Sequence, residues 1–106
     1  MDVKRGEVWW VAFPEPLGRR PAVLVSRDEA YRVRGAVTVV PLTQTIRRIP
    51  VEVPFGRADG VPRKSVANAD TITTVPKSFL LDYLTTLSAA KLQALEQAIK
   101  FALDLP

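Results

Sequence analysis

The chain contains no cysteine and no histidine. Without cysteine there is no disulfide, no thiolate nucleophile and no Cys-based zinc site. Without histidine, the commonest general base and the commonest transition-metal ligand are both missing. Any catalysis therefore falls to Asp, Glu, Lys, Arg, Ser, Thr or Tyr, and no metal or organic cofactor is expected. No apolar run approaches the roughly 20 residues that a bilayer-spanning helix needs. The start Met1-Asp2-Val3-Lys4-Arg5 also lacks the apolar stretch of a signal peptide, so the expected compartment is the cytoplasm. Neither an internal repeat nor a low-complexity segment is present.

What is there suits one domain spanning residues 1–106, with 47% hydrophobic residues to build its core. Burial at this length is modest, which gives a homodimer interface something to add. Fifteen Lys and Arg against eleven Asp and Glu leave a net charge of +4. Nine of the basic residues lie at or before Arg48, and three more fall in Arg57 to Lys64. The basic side is thus the N-terminal, strand-rich part, suited to an anionic partner.

"GEVWWVAF", Gly6 to Phe13, is rich in aromatic and β-branched residues and reads as a strand. "PEPLG", Pro14 to Gly18, breaks it. "AVLVS", Ala22 to Ser26, is a short buried-type strand, and "RDEAYRVRG" a polar connection with room for a helical turn. "AVTVVPL" is a third strand. "IPVEVPF" alternates as a half-buried fourth, with Val51 and Val53 on one face and Glu52 on the other. Between these two lies Thr43-Gln44-Thr45, then Arg47-Arg48, as though at the mouth of a hairpin. "GRADGVPRK" is a loop, and "SVANADTITTV", Ser65 to Val75, a fifth strand. Ser78 to Leu84 reads as a short helical piece. The last element is a helix capped by Ser88, with Leu87 and Leu92 in staple positions. Its Leu92, Leu95, Ile99 and Ala102 recur at helical spacing and read as core rather than as a partner groove. Five short strands followed by a helix favour a mainly β fold, an antiparallel sheet or small barrel.

Three groups of residues carry candidate chemistry, each with a plainer reading beside it. Thr43, Gln44 and Thr45 can be a turn whose hydroxyls bond nearby backbone. Alternatively, Thr43 holds a phosphate oxygen while Arg47 and Arg48 supply charge, since the rigid arginine fork matches phosphate. Arg19-Arg20 can be a solvated pair at a strand start; Pro21 also fixes the chain beside Arg20, and a held guanidinium stabilises a charged transition state. Asn68 and Asp70 alternate with Ala67 and Ala69, which in a strand puts both polar side chains on one face. That face either meets water or an arginine, or places a carboxylate to orient or deprotonate a 2′-hydroxyl. Trp9 and Trp10, being adjacent, face opposite ways in a strand. One is core; the other is open to base stacking, to covering the terminal helix or to a dimer interface.

The segments "RGEVWWV", "RRPAVLVS", "VTVVPLT", "PVEVP" and "SVANADTITTVPK", in this order and followed by a Leu-rich helix, resemble the MazF/PemK toxins of bacterial toxin–antitoxin pairs over nearly the whole chain. The resemblance implies an SH3-like small antiparallel β-barrel with a C-terminal helix, usually a homodimer. It implies metal-independent, sequence-specific cleavage of single-stranded RNA, mostly mRNA, leaving 2′,3′-cyclic phosphate and 5′-hydroxyl ends. It also implies a cognate antitoxin that lays a flexible segment across the dimer and its active site. Arg20 of "RRP" matches a catalytic arginine, Thr43 of "PLT" the hydroxyl that completes the site, and Asp70 of "NAD" an acidic position tied to RNA binding or catalysis. Arg19, Gln44, Thr45, Arg47, Arg48 and Asn68 are expected to contact RNA. Asn68 stands where some members carry a catalytic arginine, so a two-arginine mechanism would draw on Arg19 or Arg48. Two other functions sit on comparable folds: a gyrase-poisoning toxin, and a non-catalytic barrel that binds nucleic acid with a strong salt dependence.

Overall fold

The computed structural model describes residues 2–106. Seven strands and two helices follow in the order β1 (Glu7–Ala12), β2 (Arg19–Leu24), α1 (Ala30–Val33), β3 (Ala36–Thr43), β4 (Glu52–Phe55), β5 (Ser65–Asn68), β6 (Thr73–Pro76), β7 (Leu80–Thr86) and α2 (Ala89–Ala102). The first four strands and the terminal helix lie where the sequence places them. The Ser88 hydroxyl accepts the Lys91 N–H at 3.1 Å, as an N-cap should. Leu87 is buried, and Leu92, Ile99 and Ala102 pack with the fully buried Leu95 against the core.

Two of the expected elements differ. The fifth strand does not run through to Val75: a 3-10 turn at Ala69–Thr71 divides it into β5 and β6. Asn68 causes the break, because its side-chain oxygen accepts the Asp70 N–H at 2.9 Å and its carbonyl accepts the Thr71 hydroxyl at 2.7 Å. The second difference is the helical piece over Ser78 to Leu84. A 3-10 turn at Lys77–Phe79 leads instead into β7, which pairs with β1. Two register shifts in that pairing, at Val8/Trp9 and Trp10/Val11, break strict alternation.

All pairings are antiparallel, in the order β4-β5-β3-β2-β1-β7, and β6 pairs with the first half of β3. The expected hairpin between β3 and β4 is absent. Thr43 pairs with Val66 and Glu52 with Asn68, so β5 lies between them. The chain leaves β3 at one end of β5 and starts β4 at the other.

The outermost strands β4 and β7 do not pair, so hydrogen bonds leave the sheet open. Side-chain packing bridges the gap. Gly60, with φ +85°, abuts Thr85 of β7 so closely that a Cβ would lie 2.7 Å from the Thr85 Cβ. Lys91 of α2 pins the same loop. Its Nζ donates to the Pro54 carbonyl at 2.6 Å, lies 3.6 Å from Asp59 Oδ1 and sits 5.3 Å over the Phe55 ring. One sheet face, with Val8, Val23, Val40, Leu42, Val53 and Phe55, packs under α2. The other gathers Val11, Ala22, Leu24, Val37, Val39 and Leu80 around Tyr31. Among the described residues no helix is long and apolar enough to cross a membrane.

Candidate active site

A cleft of about 450 Å³ opens where β1, β2 and the end of β3 meet the loop that precedes β5. Its volume falls in the roughly 300–1,000 Å³ range of sites that enclose small ligands. Arg19, Arg20, Thr43, Gln44 and Thr45 all line it, together with Trp10, Arg63 and Ser65. Three arginines thus converge on a lining that contains no carboxylate. No group of three or more His, Cys, Asp or Glu side chains is placed to hold a metal ion among the described residues.

Arg20 is the fixed member. The turn before β2 reverses at Gly18, whose φ of +68° suits glycine, and presents the Leu17 carbonyl. Arg20 Nε and Nη2 donate to that oxygen at 3.1 and 2.8 Å, and Nη1 reaches the Leu42 carbonyl at 3.4 Å. Three of the five guanidinium hydrogens are so engaged, and one on each terminal nitrogen is left for a ligand. Two separate backbone segments therefore set the direction of one charge.

Thr43 ends β3. Its Oγ accepts the Thr45 N–H at 3.2 Å, so the plainer turn reading is correct as far as it goes. The hydroxyl hydrogen stays available as a donor. Arg19 lies 5.4 Å over the Trp10 ring and 3.5 Å from Asp82. Both side chains of that ion pair are well exposed, so it contributes little.

The other sequence candidates gather elsewhere. Arg47 and Arg48 do not line the cleft; their backbone N–H groups are taken by the Glu52 carboxylate at 2.8 to 3.2 Å. Asn68 is buried and spent on the local turn, and Asp70 is exposed beyond it. The route of the chain explains the separation. Residues after Thr45 travel back along β5 to reach Glu52, which pairs with Asn68. At about 3.3 Å per strand residue, β5 carries the chain roughly 10 Å from Ser65 to Asn68, and Asp70 sits in the turn beyond that end. Conversely, Arg63 and Ser65 are not among the sequence candidates for the site, and Trp10 enters there only as one of a tryptophan pair open to base stacking. The signal for Arg63 was its place in a basic loop, and for Trp10 its pairing with a second tryptophan.

Residues 4–103 match the family described as PemK-like, MazF-like toxin of type II toxin-antitoxin system. The probable endoribonuclease MazF5 of Mycobacterium tuberculosis is 40% identical over 102 residues, covering 94% of this chain and 92% of that protein. Among solved structures, a mycobacterial endoribonuclease in complex with its cognate antitoxin superposes with a TM-score of 0.86 at 35% identity, covering 98% of this chain and 97% of that one. The Mycobacterium tuberculosis toxin MazF-mt6 also gives 0.86, at 29% identity, covering 94% and 98%.

Proposed function

From the premise that the chain belongs to the PemK-like, MazF-like toxins of type II toxin-antitoxin systems, we propose that it is an endoribonuclease toxin acting on single-stranded RNA in the cytoplasm. Its relatives' endoribonuclease names support the activity, and the antitoxin-bound relative supports restraint by a cognate antitoxin. Homodimerisation is part of the same reading. The observation that carries it is a carboxylate-free cleft in which Arg20, held by two backbone carbonyls, shares a wall with the Thr43 hydroxyl.

In the proposed reaction the RNA's own 2′-oxygen attacks the adjacent phosphorus. The 2′-O–P bond forms and the P–O5′ bond breaks; the 2′ proton passes to a solvent water, and the leaving 5′-oxygen takes a proton from solvent. The products are a 2′,3′-cyclic phosphate and a 5′-hydroxyl. No protein nucleophile enters, which suits a chain without cysteine or histidine. The work left to the protein is in-line positioning and charge stabilisation. The two unused Arg20 hydrogens meet the equatorial phosphate oxygens, where negative charge builds. Thr43 donates its hydroxyl hydrogen to one of them. Arg19 contributes charge to the RNA backbone, while Gln44 and Thr45 face unstacked base edges. Asp70 sits in the turn past the end of β5 and outside the cleft lining, so this scheme does not assign it the 2′ proton. Asn68, Asp70, Arg47 and Arg48 belong in this scheme to the flanking RNA path.

The test is incubation of the purified protein with a long mRNA in excess EDTA, with end mapping and Arg20→Ala alongside. Discrete cuts bearing cyclic-phosphate ends, lost in a folded mutant, are expected. Intact RNA from the folded wild type, or an Arg20→Ala protein that still cuts, sinks the assignment.

A further inference from the structure

Trp10 has no place in either core cluster, whereas its neighbour Trp9 packs against one of them. The Trp9 ring also meets Tyr83 edge-on at 6.1 Å, and its indole N–H donates to Glu7 at 3.0 Å. Trp10 instead lines the cleft beside Arg20 and Thr43, with Arg19 stationed over its ring. Its indole N–H has no acceptor among the described residues. A large, partly exposed aromatic facing a basic cleft, without a packing duty, is how proteins build platforms for unstacked bases.

The opposite wall is equally built. Val61, only 2% exposed, lies at its base, and the loop behind it is fixed. Asp59 accepts the Gly56 N–H at 3.0 Å, Val61 N–H donates to the Gly56 carbonyl at 3.2 Å, and Lys91 and Thr85 hold the outside. Ser65, 5% exposed, donates its hydroxyl to the Arg63 carbonyl at 3.2 Å. The Arg63 backbone is thereby held, while its exposed guanidinium has no carboxylate partner among the described residues. Arg5, Arg19 and Arg27 each have one.

We propose that Trp10, Arg63 and Ser65 form a subsite for one unpaired nucleotide next to the scissile phosphate, and that this subsite helps to set which base the enzyme accepts there. The indole stacks the base and offers its N–H to a base edge. Arg63 grips the flanking phosphate from across the cleft, and Ser65 holds the backbone from which Arg63 projects. The assignment rests on the endoribonuclease reading for the identity of its ligand.

Two measurements test it. The first is tryptophan fluorescence during titration with short 2′-O-methyl RNA oligonucleotides of random sequence, which bind but cannot be cut by their own 2′-oxygen. Quenching is expected in the wild type and absent in Trp10→Phe, so that the difference belongs to Trp10. The second is sequencing of cleavage ends from a randomised RNA pool. Trp10→Ala should weaken oligonucleotide binding by about tenfold and Trp10→Phe should keep most of that affinity by stacking, while both lose the preference at one position that the indole N–H supplies. Arg63→Ala should raise KM by roughly ten times more than it lowers kcat, and reduce the salt slope of binding by about one. An unquenched Trp10 with unchanged base preference overturns the subsite even where RNA is cut. Quenching by RNA in a protein that cuts nothing supports the subsite and overturns the nuclease.

Discussion

Arg20→Lys separates the charge of this residue from its geometry. The arginine spends three hydrogens on Leu17 and Leu42 and keeps two for the phosphate. A lysine ammonium has three hydrogens in all. Satisfying both carbonyls leaves one, and releasing the carbonyls frees a flexible four-carbon stem. Either way at least one charge-assisted hydrogen bond to the transition state is lost, worth about 1.5–3 kcal/mol. Misdirection of the remaining one brings the total toward the 2.7–4 kcal/mol seen when a transition-state donor is removed. The expected loss in kcat is therefore roughly 30- to 1,000-fold. KM should change little, because Arg19 and Arg63 still draw the backbone in. Single-turnover cleavage of a short fluorescent RNA gives the rate, and a thermal melt checks that the fold is intact. A folded Arg20→Lys protein within threefold of wild type would refute the reasoning: positive charge alone would then be enough, and the carbonyl cradle would have no catalytic meaning.

Three further outcomes are expected. Asp70→Asn should keep cleavage within about threefold, because Asp70 sits in the turn past the far end of β5 and does not line the cleft; a loss of a hundredfold in the same single-turnover assay would place the proton acceptor there. Gly60→Ala combines a left-handed backbone angle with a collision against Thr85. It should cost about 2–4 kcal/mol and lower Tm by roughly 10–25 °C. Thr85→Ala should restore only the part due to the Oγ1 and Cγ2 contacts, because its own Cβ stays 2.7 Å from the new one. Tyr31 is 3% exposed, and its hydroxyl lacks a hydrogen-bond partner among the described residues. Burial, aided by the Asp28 carboxylate, pushes it from 10.0 up to about 12, with Ser26 and Arg5 opposing. The unfolded chain thus ionises first as pH rises. The stability Tyr31 contributes is full below pH 10.0 and is lost progressively by about pH 12, an effect of about 3 kcal/mol. Denaturant melts across that window should show a steeper alkaline decline in the wild type than in Tyr31→Phe; parallel curves would refute it.

The sequence was readable wherever local pattern and tertiary demand agree. β1 to β4 and α2 have the right periods, and Ser88 announces a helix that forms. β7 was hidden because it is an edge strand with only Leu80 buried, paired to β1 through two register shifts. Leu80 and Leu84 of β7, with Leu87 just after it, therefore mimic helical spacing. The half of the site formed by Arg19, Arg20 and Thr43 to Thr45 was legible because two short motifs sit at the ends of adjacent strands. Arg47, Arg48, Asn68 and Asp70 lie off the cleft lining for a single non-local reason. β5, drawn from later in the chain, inserts between β3 and β4. Alternation also fails at Asn68, since an Asn side chain that caps its own turn ends the strand it seemed to continue.

The insertion of β5 bears on how the toxin comes into being during synthesis. Thr43 and Arg20 leave the ribosome early, but β4 has nothing to pair with until Ser65 to Asn68 have followed. β1, the first strand made, waits still longer for β7. Pairings this distant belong to the slow end of folding, roughly milliseconds to seconds. A growing chain therefore carries Arg20 well before it has the opposite wall of the cleft. A chain stopped before Leu80 would leave the free edge of β1 bare, a template for aggregation rather than a smaller toxin.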